Sequence, residues 1–232
     1  MKKYKLNKGI LIAIEGIDGA GKTTQVHRLF DHYTRLGYKI IRLKEPTDGQ
    51  YGQMIKKLSE KGRNKSPKEE MNLFLKDRIE DCKNNIQPAL DRKDLVIIDR
   101  YYFSSIAYQG ALGLDPAYIL EENEKIAIRP DLVVILDCAV NIGLSRITSL
   151  RNEVPNHFEK EELLEKTRNI FKTMKAPYIQ IIDSTLDEDS VFSHLKNIVN
   201  DILLPHTYSV NDQPDLFAVE SETNSKVLFS KN

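Results

Sequence analysis

The segment Gly16-Ile17-Asp18-Gly19-Ala20-Gly21-Lys22-Thr23 fits G-x-x-x-x-G-K-[ST] at each fixed position and follows the apolar run Ile10–Ile14. Few arrangements of a chain accommodate that pattern. Its glycines permit a tight turn, its successive N–H groups converge, and a helix must open at its end, so it specifies strand, loop and helix in that order. Converging N–H groups at a helix N-terminus form an anion site suited to phosphate. Gly16, Ile17, Asp18, Gly19, Ala20, Gly21, Lys22, Thr23 and Thr24 are the expected phosphate-binding positions. Lys22 would reach the outer phosphates of a bound nucleotide, and Thr23 would offer its hydroxyl to Mg²⁺. A glycine turn that merely joins strand to helix is the competing reading.

The rest of the chain repeats the alternation. Ile10–Ile14, Lys39–Leu43, Leu95–Ile98, Leu132–Leu136 and Tyr178–Ile182 are short runs rich in Ile, Val and Leu, bounded by charges or turn residues. Helical patterns fit Lys22–Leu36, Pro67–Leu90, Phe103–Leu112, Pro116–Ala127, Asn141–Thr148, Glu161–Lys175 and Glu188–Leu203, with Asp115 as an N-cap before Pro116. Apolar strands separated by helices imply a parallel sheet covered on both faces. The expected fold is α/β: a three-layer, doubly wound, five-stranded sheet spanning residues 1–204. Residues 149–157 are polar, hold Pro155 and read as a loop, while residues 205–232 read as a polar tail without a sustained period. The Lys56–Lys68 stretch, mixed in charge, is expected to be solvated.

Composition narrows the partners. Lys plus Arg and Asp plus Glu each number 34, so no bulk charge favours nucleic acid or a membrane surface, and an anion site must be a local cluster. No run approaches the ~18 apolar residues of a membrane span. Cys82 and Cys138 lie far apart with no metal-ligand spacing, as expected of two reduced thiols in a cytoplasmic protein.

Leu95–Ile98 runs into Asp99, an acid at a strand end where a phosphate-loop protein holds Mg²⁺ beside the phosphates. Arg100 follows it, at the carboxyl end of a strand where ligands bind in such sheets. No N-K-x-D guanine signature is present, and the chain has no room for a helicase core, which leaves a small-molecule kinase as the expected class.

At these residues the sequence closely resembles the thymidylate kinase family. Asp99-Arg100-Tyr101-Tyr102-Phe103-Ser104-Ser105-Ile106-Ala107-Tyr108-Gln109-Gly110 is similar to its D-R-Y/H-x-x-S-x-x-A-Y-Q-G segment, and Leu73–Arg78 to its L-F-x-A-D-R helix. Ile86–Leu90, Lys44-Glu45-Pro46 and Arg129–Leu132 resemble three further blocks in the family's order, so the likeness covers roughly residues 9–203. The resemblance implies phosphorylation of dTMP by ATP with Mg²⁺, in a cytoplasmic homodimer.

It also implies roles. Phe74 would stack on the pyrimidine and Arg78 would hydrogen-bond it; the two are four residues apart and share a helix face. Ser104, Ser105, Tyr108 and Gln109 would contact base and deoxyribose, and Glu45 would line the site near the acceptor phosphate that Arg100 binds. Lys22, Arg100 and Asp18 are the expected catalytic residues. Some members carry an additional arginine after the loop aspartate, where this chain has Gly19, so Arg146 or Arg151 near a lid at about 149–157 would supply it. Glu159, after Phe158, would join Thr23 and Asp99 around Mg²⁺; the arginine common just before that step is replaced by Asn156 and His157. Two alternatives stay open: a same-fold kinase for dUMP, UMP or another pyrimidine nucleotide, and a non-catalytic nucleotide-binding homologue.

Overall fold

The computed structural model describes residues 3–60, 65–151 and 157–209. Its centre is a five-stranded parallel sheet in the order β3 (Ile40–Lys44), β4 (Leu95–Asp99), β2 (Ile10–Glu15), β5 (Leu132–Asp137), β6 (Ile179–Asp183). The three inner strands are almost wholly buried and the two edge strands only partly so. This is the expected doubly wound α/β sheet. The chain leaves β2 toward β3 on one side and later crosses to β5 on the other. The order therefore reverses at the carboxyl end of β2, where open α/β sheets bind ligands.

Each strand ends one residue later than its apolar run, on a charged side chain: Glu15, Lys44, Asp99, Asp137 and Asp183. Ladder pairing continues through these residues, as in Lys44 opposite Asp99 and Asp137 opposite Asp183. The fold thus lines up its ionisable groups along one edge of the sheet.

Helices α1 (Lys22–Arg35), α5 (Tyr102–Ala111), α6 (Pro116–Glu124) and α9 (Glu188–Leu203) follow the expected limits closely. The Asp115 side chain caps α6 by accepting from the Ala117 N–H at 3.0 Å. The long helix expected over 67–90 is divided into α3 (Pro67–Asp81), a π turn (Cys82–Ile86) and α4 (Gln87–Asp91). Pro88 has no N–H to give the preceding turn, and the widened turn takes up the misfit, with the Gln87 N–H reaching back to Cys82. A further helix, α2 (Gln50–Glu60), packs on α3 where sequence reading expected solvated chain from Lys56 onward.

α7 (Val140–Arg151) and α8 (His157–Thr173) extend past their expected ends toward each other. Of the lid expected at 149–157, residues 152–156 lie outside the described residues, and so do the side chains of Arg151, Phe158 and Glu159. At the other pole, β1 (Tyr4–Leu6) pairs antiparallel with β7 (Thr207–Ser209) after a 3₁₀ turn at Leu204–His206. The segment expected to be a polar tail from Pro205 is therefore built into the fold as far as Ser209.

Candidate active site

The phosphate loop joins β2 to α1. Gly21 enters the helix at φ 90° and provides no side-chain cap, so the first-turn N–H groups stay available to an anion. Gly19, at φ 80°, has no alternative: a Cβ there would lie 2.1 Å from the carbonyl oxygen of Gly143 on α7. In this conformation position 19 therefore admits glycine alone. Ile17 is buried in the core and offers the loop its carbonyl, which accepts from Lys22 Nζ at 2.7 Å.

Seven loop and helix residues, Asp18 through Thr24, line a cavity of about 620 Å³ together with Lys44, Asp99, Arg100 and Arg146. Burial, with repulsion from Arg100, pushes the Lys22 ammonium down to about 8, so phosphate oxygens would restore its charge. Arg146 reaches in from α7, donating to the Ser184 carbonyl at 3.0 Å and to the Gly19 carbonyl at 3.4 Å.

Asp99 closes the cavity floor. One carboxylate oxygen accepts from the Thr23 hydroxyl at 2.5 Å; the other, Oδ1, is buried without a hydrogen-bond partner. Burying an unpaired carboxylate oxygen is costly, and a cation is what such an atom fits. Among the described residues no group of three or more His, Cys, Asp or Glu forms a cation cage. Mg²⁺ held by one carboxylate and nucleotide phosphates requires none.

A second cavity of about 220 Å³ opens on the other side of Arg100. α3 contributes Phe74 and Arg78, while α5 contributes Ser104, Ser105, Tyr108 and Gln109. Glu45, from the turn after β3, is buried against Arg78, and the two are ion-paired. Burial pushes the Glu45 carboxyl up to about 8, although Arg78 opposes this. Arg78 Nη1 also donates to Asn123 Oδ1 at 2.5 Å and to Ser105 Oγ at 3.4 Å, while its Nε remains unpartnered. The Gln109 and Glu45 Oε1 atoms are likewise unpartnered. Arg78 Nε, Glu45 Oε1 and Gln109 Oε1 are thus unsatisfied polar atoms among the side chains that line this cavity.

Arg100 joins the two cavities. It is one of only two described residues other than glycine with positive φ, at 69°. That conformation is disfavoured for a side chain of this size, and its surroundings hold it. Its N–H donates to Ile14 O at 3.0 Å, its Nη2 pairs with Asp18 Oδ1 at 2.5 Å, and its Nη1 donates to Ser104 Oγ at 3.2 Å. The guanidinium lies over the Tyr108 ring, and the Tyr108 hydroxyl accepts the Asp18 N–H at 3.1 Å.

Sequence reasoning missed two buried polar residues at this site. Asn123 on α6 is fully buried, and nothing in its local pattern sets it apart from its acidic neighbours. Glu15, also fully buried, did leave a signal: a carboxylate ending an otherwise apolar strand directly before the loop. Burial pushes Glu15 up to about 7, against the hydrogen bond from Ser104 and the charge of Arg100.

A phosphate loop that shares an arginine with a second, aromatic-walled cavity defines the class: a P-loop phosphotransferase with adjoining donor and acceptor sites. Comparison with known proteins narrows it. A sequence model of the thymidylate kinase family matches residues 14–195. A protein called thymidylate kinase from Xanthomonas euvesicatoria pv. vesicatoria (strain 85-10) is 44% identical over 191 residues, 82% of this chain and 83% of its own. Another of that name, from Desulfotalea psychrophila (strain LSv54 / DSM 12343), is 44% identical over 185 residues, covering 80% and 91%. The crystal structure of thymidylate kinase from Ehrlichia chaffeensis aligns with TM-score 0.68 at 24% identity, covering 83% of this chain and 99% of that one, a likeness of fold. The chain belongs to the thymidylate kinase family.

Proposed function

We propose that this chain transfers the γ-phosphate of ATP to dTMP, giving ADP and dTDP. The observation that carries this reading is the junction: Asp18 and Arg100 line both cavities. A nucleotide with its phosphates on the loop and a monophosphate held by Arg100 then meet end to end. An oxygen of the acceptor phosphate attacks the γ-phosphorus, and the bond to the bridging oxygen breaks with its electron pair leaving on ADP. No general base is required, because the attacking oxygen is already anionic. The protein's contribution is alignment and charge neutralisation by Lys22, Arg100 and Arg146. Thr23 and Asp99 would hold Mg²⁺, which when bound supplies further positive charge at the phosphates. A lid over residues 149–157, carrying Arg151 and with Glu159 close behind it, would exclude water.

In the acceptor cavity Phe74 stacks on the base, Arg78 and Gln109 read its polar edge, and Tyr108 crowds a 2′-hydroxyl. The relatives' names favour dTMP over dUMP, UMP or a non-catalytic role. We further propose a cytoplasmic homodimer. Among the described residues no helix is long and apolar enough to cross a membrane, and Met54 on α2 and Ile79 on α3 are exposed apolar side chains that a second copy would cover. Sedimentation velocity checks the dimer.

ADP release, coupled to a spectroscopic assay with ATP, Mg²⁺ and in turn dTMP, dUMP, UMP and dCMP, tests the activity. A preference for dTMP is expected. Preference for another acceptor would discard the reading of the second cavity, and no acceptor-dependent turnover would discard the kinase. Lys22→Ala should abolish transfer with circular dichroism unchanged.

A further inference from the structure

Helix α5 carries four of the acceptor-cavity side chains, yet its N-terminus has no cap of its own. The N-cap residue is Tyr101, whose side chain accepts nothing from the first turn. Ordinarily an N-cap side-chain oxygen accepts the N–H of the second or third helical residue. Here that acceptor comes from β2. Glu15 Oε1 accepts the N–H of Tyr101 at 2.7 Å and that of Ser104, the third helical residue, at 3.2 Å. Its Oε2 accepts the Ser104 hydroxyl at 2.5 Å. Every bond Glu15 makes to its neighbours is one it accepts.

The contacts continue in a ring. The Ser104 hydroxyl oxygen accepts from Arg100, and Arg100 pairs with Asp18, three residues beyond Glu15. Glu15 also grips the amide that directly follows the strained backbone of Arg100. Glu15 has no place in the cavity linings, so it touches neither nucleotide site.

We infer that Glu15 is a positioning residue: it caps α5 from the sheet and fixes the register of Arg100 and Ser104 against the phosphate loop, so that the two cavities stand in line for transfer. The inference rests on the kinase reading above. It requires that losing this cap misaligns two occupied sites without emptying either.

The test compares Glu15→Gln and Glu15→Asp with the parent enzyme. The amide keeps one oxygen for the backbone N–H groups but loses the acceptor for Ser104; the aspartate is one methylene short of the helix. A misplacement of about 1 Å at a phosphoryl-transfer site lowers the rate by on the order of 100-fold. Expected is kcat lower by about 10- to 100-fold, with Asp below Gln, while the separately measured Kd values for ATP and dTMP stay within about twofold. Variants with parental kcat would overturn the inference, as would a fall in kcat matched by loss of nucleotide binding or of folded protein. In the Ser104→Ala background, Glu15→Gln should cost less than about twofold further, because both act through one contact; full additivity also overturns it. Should neither Glu15 variant fold, Ser104→Ala decides alone: it keeps the Glu15 side chain and must lower kcat with the Kd for ATP intact, and a parental kcat overturns the inference. A parent enzyme without dTMP-dependent turnover would be a failure of the kinase reading and not of this one.

Discussion

At the scale of single residues, the chain shows which positions tolerate no substitute. Gly19 and Gly113 both have positive φ, but a Cβ at Gly113 meets nothing within 4 Å, whereas one at Gly19 collides with the Gly143 backbone. Gly113→Ala should therefore cost about 1 kcal/mol from backbone strain alone. Gly19→Ala should cost clearly more and should also lower kcat/KM for ATP by about tenfold or more, because the loop must move off α7. Thermal unfolding of the pair, with ATP kinetics, distinguishes the two costs. Glu15 predicts a pH effect with a definite sign. Its carboxyl stands at about 7 in the folded protein against 4.5 ordinarily, so across that interval the unfolded chain has released a proton that the native state retains. The associated stability is complete below about 4.5 and is lost as pH rises to about 7. Glu15→Gln lacks this term, so urea unfolding should find its stability relative to the parent rising between pH 5 and pH 8, by about 2 kcal/mol. The placement of Lys22, Thr23, Asp99 and Arg100 around one cavity was legible because it is encoded in local spacing. Glu15 and Asn123 were not, because their partners lie tens of residues away: 86 and 89 positions for Glu15, 45 for Asn123.

At the scale of elements, strands were legible as apolar runs, but their last residues were not. Hydrophobicity stops where the ligand edge begins, while backbone pairing continues through Glu15, Lys44, Asp99 and Asp137. α2 did leave a signal, since Tyr51, Ile55 and Leu58 recur at helical spacing on its less exposed face, but the charges of Lys56–Lys68 were read as a solvated stretch. The π turn was invisible for another reason: a sequence pattern records that a helix continues, not how its turns are wound. α6 shows how an element remote from the phosphates enters the site. Its Asn123 takes the Arg78 guanidinium with Oδ1 and returns its own Nδ2 to Ile119 O at 2.7 Å. Asn123→Ala would leave a buried guanidinium nitrogen short of a partner, an effect of about 2 kcal/mol. The expected result is KM for dTMP raised by about tenfold or more with kcat little changed, because α6 supports acceptor recognition and not transfer. An unchanged KM would mean that Ser105 and Glu45 suffice to hold Arg78.

At the scale of the whole molecule, the active site occupies one edge of the sheet, and the first and last described strands pair away from it. Tyr4, Lys5 and Leu6 pair with Ser209, Tyr208 and Thr207, and the Asn7 N–H donates to His206 O at 2.9 Å. The pairing is anchored by Tyr38, which stacks on Tyr4 and shares a hydrogen bond with Thr207 at 3.0 Å. Tyr38 lies just past the end of α1, the helix the phosphate loop opens, so the clamp braces that helix at its far end. Polar sequence around Pro205 concealed this, since a strand of three residues leaves no periodicity to read. The clamp has no residue in either cavity, so its loss should lower stability and leave the chemistry alone. Ending the chain at Leu204 removes β7 and strips β1 of its only partner among the described strands. Losing two or three net hydrogen bonds with the Tyr4 stack amounts to about 2 kcal/mol, a fall in Tm of about 4–8 °C for a chain of this size. Ending it at Ser209 keeps the clamp, and its Tm should exceed that of the shorter protein. Both truncated proteins should retain parental kcat and KM at 20 °C. A parental Tm for the shorter protein would show that β1 and β7 are ornament, whereas a lost kcat would place the clamp within the path that holds α1 and its loop in register.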